Sequence, residues 1–381
     1  MHFQEHRISC CTVSSVIVLL TSSLLALSVC AEAAETTPTQ FSRPFTDKQD
    51  HVRNDVGANG AYIPVPPRPE RRGCNVDMPG AGKFYSQQVA RLFWSNGSEL
   101  ERLVNEWNDS SCVFKDGRPI MMALGLGYDI VLSNKHDWSK TYARIEELKN
   151  QFPDKAFVAL AESVYWRTYA WDARGEGYAS SVSEDGMKLF HERLEKAEEI
   201  LINSKSYASN LPQWYEEMIV IQSGLDRPVA ERDKVFKEGV KRYPTYYPIY
   251  FTMSYHLEPK WGGTWRAVDN LVQWSVEHTR AQEGMTMYAR LYWAVYDEPN
   301  VNLFKDTFAS WPKMKQGFED MMARHPVSKW NLNHFAKFAC VAGDKNTFLA
   351  LRQKIGKDVF DDAWTGNTSL ELCDTKFGYA E

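Results

Sequence analysis

From residue 82 onward, apolar positions recur at the three-to-four spacing of a helix face, and no stretch alternates as a half-buried strand does. Within that pattern one arrangement occurs three times. A charged amphipathic segment ends in an aromatic residue or histidine followed by proline, and an aromatic-rich segment then begins. The approaches are TYARIEELKNQFP, DKVFKEGVKRYP and MKQGFEDMMARHP, with junctions at Phe152-Pro153, Tyr243-Pro244 and His325-Pro326. The segments that follow run to Gly175, to Gly262-Gly263 and to Gly343. Proline fits the first turn of a helix and disfavours helix in the residue before it. Each junction is therefore expected to separate two helices, with the proline in the first turn of the second.

A helix hairpin that recurs along a chain predicts an array in which each unit buries its apolar face on its neighbour. The expected fold class is all-α, a tetratricopeptide-like α-solenoid over 81–381. Further hairpins are expected from Pro212 to Arg242, from Thr245 to Thr279, from Glu283 to Arg324 and from Lys329 to Ile355. The segment from Asp154 to Arg174 is apolar on more than one face, which places it between layers. Ser98 with Glu101 reads as a capping box opening a helix at Leu100. Phe84, Val89, Leu92 and Phe93 read as the buried side of the first helix.

The start of the chain reads differently. Ile8 to Val29 is apolar and uncharged, behind His2, His6 and Arg7, and Ala31-Glu32-Ala33-Ala34 follows. This is the pattern of an export signal over 1–31. Cleavage near Ala31 to Ala34 leaves a periplasmic protein, whereas an uncleaved run of about 20 residues would anchor it in the membrane. Residues 32–80 hold few large apolar residues and many prolines and glycines, and read as an extended or disordered linker.

The net charge of −5 is spread along the chain, which argues against bulk nucleic-acid binding, since that requires a basic stripe. Removing the signal leaves Cys74, Cys112, Cys340 and Cys373. Four cysteines in an exported chain allow three pairings, and some can remain buried thiols. The favoured pairing is Cys74–Cys112 and Cys340–Cys373, the second pinning the C-terminal tail. Without a short C-x-x-C spacing they make a poor zinc site, so no metal or cofactor is expected.

Two segments, Ala170-Trp171-Asp172-Ala173-Arg174-Gly175-Glu176-Gly177 and Tyr243-Pro244 through Pro259-Lys260-Trp261-Gly262-Gly263-Thr264, resemble blocks of a bacterial family of uncharacterised proteins, domain of unknown function 4034. Asp116-Gly117-Arg118 is similar to a third block, with Pro119 departing from it. The resemblance spans roughly residues 85–280 and implies a tetratricopeptide-like array, with no activity and no catalytic residue to carry over.

Chemical candidates are sparse. Trp171, Arg174, Tyr247, Tyr250, Trp261 and Trp265 cluster in sequence around the two unusual loops and are the candidate lining of a groove. With 13 Trp, 18 Tyr and 19 Phe, the chain has aromatic residues to spare beyond a core. His191 with Glu195 lacks the second histidine of a helical zinc motif. His256 and His278 are a candidate pair across a hairpin. Glu176 with Glu184-Asp185, and Asp361-Asp362, are candidate acid/base carboxylates. No nucleophile elbow, phosphate loop or dinucleotide fingerprint is present. The expected function is an exported protein- or peptide-binding scaffold of the cell envelope. The alternative is a hydrolase on an α/α scaffold acting on glycan or peptidoglycan.

Overall fold

A computed structural model describes residues 80–110, 112–132, 137–175, 177, 179–296, 301–364 and 368–379. The expected export signal, residues 32–79 of the expected linker and Cys74 lie outside the described residues, as does Glu176, whereas Gly80 already belongs to the first helix. The fold is all-α and solenoid-like. Among the described residues the only extended pairing is an isolated bridge between Val113 and Pro119.

Three helices open it: α1 (Gly80–Ser95), α2 (Gly97–Ser110) and α3 (Met122–Leu132). Four hairpins follow. They are α4 (Trp138–Gln151) with α5 (Ala156–Arg174), α6 (Glu184–Ala208) with α7 (Gln213–Gly224), α8 (Val229–Arg242) with α9 (Tyr247–Tyr255), and α10 (Trp265–Glu283) with α11 (Thr286–Tyr296). After the short α12 (Leu303–Asp306), α13 (Trp311–Arg324) pairs with α14 (Lys329–Ala342), and α15 (Lys345–Ile355) and α16 (Leu370–Phe377) end the array. The second helices form one layer, with α5 against α7, α7 against α9 and α9 against α11. Because each is the return arm of a hairpin, these four run in the same direction.

The three proline junctions are one local structure repeated. Phe152, Tyr243 and His325 have φ of −132°, −128° and −129° and ψ of 64°, 65° and 59°. Each sends its N–H back to the carbonyl four residues earlier, at 2.8, 2.8 and 2.9 Å. The following proline excludes the helical conformation at these residues, which is why the helix stops there. One expectation changes. The prolines do not enter the next helix, which begins three residues later at Ala156, Tyr247 and Lys329. Pro244 and Pro326 instead occupy the second position of tight turns closed by Tyr246 N–H to Tyr243 O (3.0 Å) and Ser328 N–H to His325 O (3.1 Å). Fixed proline φ suits that turn position as well as it suits a first helical turn.

Two smaller readings also change. The α2 helix begins before Leu100, and its cap is Asn96, whose Oδ1 accepts from Glu99 N–H at 3.1 Å. Asparagine caps as well as serine, and Gly97 opens α2 where a Cβ would meet Phe152 and Leu148 of the α4 end. Phe84 is exposed rather than buried.

Two features hold the ends. Cys340 and Cys373 form a disulfide across 33 residues, tying α16 to α14. Closing a loop of that length contributes about 3–4 kcal/mol in the chain-entropy description. Cys112 is also a disulfide cysteine. At the other end, the loop between α2 and α3 reaches far along the array. The carbonyl of Asp116 accepts from Arg290 on α11 and from Asn331 on α14. The Arg118 guanidinium lies 5.8 Å from the Trp330 ring centroid. Gly117 has φ of +90° and lies so close under His325 that a Cβ there would stand 2.2 Å from the imidazole. The array therefore curves until its first loop clasps its α13–α14 hairpin.

Candidate functional site

Three parallel inner helices each turn one stripe toward a common trough. On α5 it is Leu160, Val164, Arg167 and Trp171. On α7 it is Gln213, Glu216, Glu217 and Val220. On α9 it is Pro248, Phe251, Thr252 and Tyr255. Each set falls at three-to-four spacing, the signature of a single helix face. The trough has two hollows, and Phe251 and Thr252 line both.

The hollow toward the starts of α7 and α9 measures about 230 Å³ and is roofed by α3 through Met122, Tyr128 and Asp129. Its polar groups pair in separate sets. Arg167 Nε donates to both oxygens of Glu217, at 2.7 and 2.9 Å. Arg167 Nη2 reaches Asp129 Oδ1 at 3.2 Å. The Tyr246 hydroxyl donates to Glu216 Oε2 at 3.1 Å. Gln213 donates to the Met121 carbonyl, tying α7 to the start of α3.

Burial sets the acidity of this pair. It pushes the Glu216 carboxyl up to about 7, partly offset by the Tyr246 hydrogen bond, with Asp129 and Glu217 adding to the rise. Burial also raises Glu217, and the Arg167 charge opposes that. Two neighbouring carboxyls thus differ in kind. Glu217 is committed to a guanidinium, while Glu216 sits between its charged and neutral forms near neutrality.

The second hollow, toward the ends of the same helices, measures about 520 Å³. Its walls are aromatic: Trp171, Trp261, Tyr255 and Phe251. Trp171 and Trp261 meet edge to face, their centroids 6.1 Å apart, and Tyr255 lies 5.5 Å from Trp261. The loop that carries Trp261 is fixed by its glycines. Gly262 has φ of +79°, and a Cβ on Gly263 would stand 2.0 Å from the Leu257 carbonyl oxygen. Thr264 then caps α10, accepting from Ala267 N–H at 3.1 Å. At the base lie His256 and Ser254, both buried. Among the described residues, His256 Nδ1 and Ser254 Oγ have no hydrogen-bond partner. Burial, aided by Arg232, Lys260 and Arg167, drives the His256 imidazole down to about 3, so it stays neutral across the physiological range.

The sequence candidates divide. Trp171, Arg174 and Trp261 are brought together, although their loops are far apart in the chain. Arg174 stacks 5.0 Å above the Trp171 ring and donates to the Gly177 carbonyl at 2.9 Å, closing its own loop. Trp261 keeps 38% of its surface exposed and forms a wall rather than a plug. Tyr247 and Tyr250 belong to the core instead. The Tyr247 hydroxyl is taken up by Glu283 Oε1 at 2.9 Å and that of Tyr250 by the Pro244 carbonyl at 3.1 Å. Trp265 is half-buried against the core and lines neither hollow. His278 stacks on Trp274 at 3.7 Å, whereas His256 packs on Trp261 at 5.6 Å. Glu184, Asp185, Asp361 and Asp362 are exposed on the surface. Among the described residues no group of three or more His, Cys, Asp or Glu is placed to hold a metal ion.

What sequence reasoning missed is Glu216 and Glu217. Their signal is that two adjacent acids interrupt QWYEEMIVIQSG, a helix buried over most of its length. A scan against protein-family models found no matching family, and searches of curated proteins and of solved structures found no match to the chain.

Proposed function

We propose that the chain is an exported, periplasmic scaffold of the bacterial cell envelope that binds an extended segment of a partner protein in the trough along α5, α7 and α9. It stands with the uncharacterised family whose sequence blocks it resembles. The observation that carries this reading is the trough itself. It offers a 520 Å³ aromatic cleft with two polar groups at its base that lack partners among the described residues. Apolar walls with a few convergent polar groups are the usual make-up of a ligand site. Parallel inner helices of an α-array are a surface on which an extended chain can lie. No described helix is long and apolar enough to cross a membrane.

The test is to pan a random dodecapeptide library on the full chain and measure the affinity of the selected peptides. Trp261→Ala is expected to weaken them at least tenfold, since large aromatics at the centre of an interface carry much of its energy. The melting temperature should hardly move, because Trp261 is an exposed wall. A peptide that binds Trp261→Ala and Trp171→Ala as tightly as wild type would remove the cleft from the reading.

One observation favours the alternative. A carboxyl held at about 7 inside a cavity is what glycan hydrolysis asks of its proton donor. Glu216 is the candidate acid for that chemistry, and Asp129, which shares Arg167 with Glu217, is the exposed carboxylate facing the same hollow.

A further inference from the structure

The smaller hollow has a chemistry of its own. Its acids come from separate elements, Asp129 from α3 and Glu216 and Glu217 from α7, and the cation lining it with them is Arg167 of α5. Tyr246, at the start of α9, completes the ring of titratable groups facing Glu216. Arg167 is shared between Glu217 and Asp129, so one negative charge remains before Glu216 is counted. A second observation points the same way. Gln213 is 5% exposed and lines the hollow, and its Oε1 has no hydrogen-bond partner among the described residues. A buried acceptor of this kind calls for a donor. At about 230 Å³ the hollow is smaller than the range usual for drug-sized ligands and suits a single side chain.

We infer that this hollow is a primary-ammonium site that takes a lysine side chain of the bound segment, next to the residue held in the aromatic cleft. The inference rests on the peptide-binding reading and deepens it. Lysine fits better than arginine, because a compact ammonium with a flexible stem reaches a small pocket that a planar fork does not enter. Tyr128 and Phe251 line the hollow and give the stem an apolar wall. The carboxylate of Glu216 is the form that attracts the ammonium. The site therefore releases a proton as it fills when the medium lies below the Glu216 range, and binding weakens as pH falls.

The experiment titrates the full chain with n-butylamine, a lysine side-chain mimic that stays protonated throughout, and with n-butanol as its uncharged match, at pH 6, 7 and 8. The expected result is saturable binding of butylamine, weaker at pH 6 than at pH 8 by about tenfold, and no saturable binding of butanol. Glu216→Gln should weaken binding at pH 8 and flatten the pH dependence, with its fold checked by thermal unfolding. Asp129→Asn, at an exposed position, should weaken binding and keep a pH dependence whose midpoint lies lower, since Asp129 adds to the rise of Glu216. Equal binding of butanol and butylamine, or no binding of either while a selected peptide still binds the Trp261 cleft, overturns the ammonium site and leaves the peptide reading standing. Butylamine binding with no selectable peptide supports the site and removes the peptide reading.

Discussion

Replacing Arg167 with alanine is expected to destabilise the folded chain by about 3–5 kcal/mol, the cost of stripping a buried charge of its partner. Glu217 is buried and takes two hydrogen bonds from the Arg167 Nε. Without Arg167 its carboxylate keeps no comparable cation. The loss should depend on pH with a definite sign. Burial already raises Glu217, and removing the guanidinium raises it further. An acid whose folded pKa lies above its unfolded value contributes stability at low pH that is lost as pH rises through the folded value. The Arg167→Ala penalty should therefore be small near pH 5 and largest near pH 8, as measured by urea unfolding at both. Arg102→Ala serves as the control. Arg102 pairs with Glu99 and Glu106 on the open surface, where such pairs contribute little. A penalty independent of pH would mean that Arg167 acts through packing and not through the buried pair.

The second large effect is expected at the clasp. Gly117→Ala should cost about 2–4 kcal/mol, combining a left-handed backbone with intrusion on the His325 ring. The comparison is Gly343→Ala, at φ of +78° with open space around it, which carries the backbone cost alone. The difference between the two isolates the docking of the first loop on the α13–α14 hairpin. His325→Ala should recover part of the Gly117→Ala loss, because it removes the atoms the new methyl strikes. Denaturant midpoints of the two single variants and the double variant check this. If Gly117→Ala costs no more than Gly343→Ala, the loop is not held against His325 in solution.

The proline junctions made the array legible because their cause is local. Proline disfavours helix in the residue before it, so an X-Pro pair behind a charged amphipathic run marks a helix end without knowledge of the rest, whereas at Tyr247-Pro248 and Trp311-Pro312 the pair opens a helix. The Thr264 cap of α10 is equally local in cause, its hydroxyl accepting from a backbone N–H three residues on. The cap at Asn96 lies two residues before the expected Ser98, because serine and asparagine cap equally well and only the backbone shows which one does so. The clasp could not be read. Asp116 and Asn331 stand 215 residues apart, and no local preference links them. Trp171 and Trp261 stand out in the sequence through their unusual loops, and their meeting depends on α5 and α9 flanking α7. Tyr247 and Tyr250 shared the same segment but face the other side of α9, a matter of helix phase. Glu216 and Glu217 left a trace as acids in an apolar helix. Their partners, Arg167 and Tyr246, come from two other elements and appear only with the packing.

The measurement that bears most directly on binding in the trough is amide hydrogen exchange of the full chain with and without a selected peptide. Occupation of the trough predicts slowed exchange in the 256–264 loop and in the last turns of α5, α7 and α9, with α6 and α8 unchanged. Protection confined to α6 and α8, with the 256–264 loop exchanging as before, would contradict it.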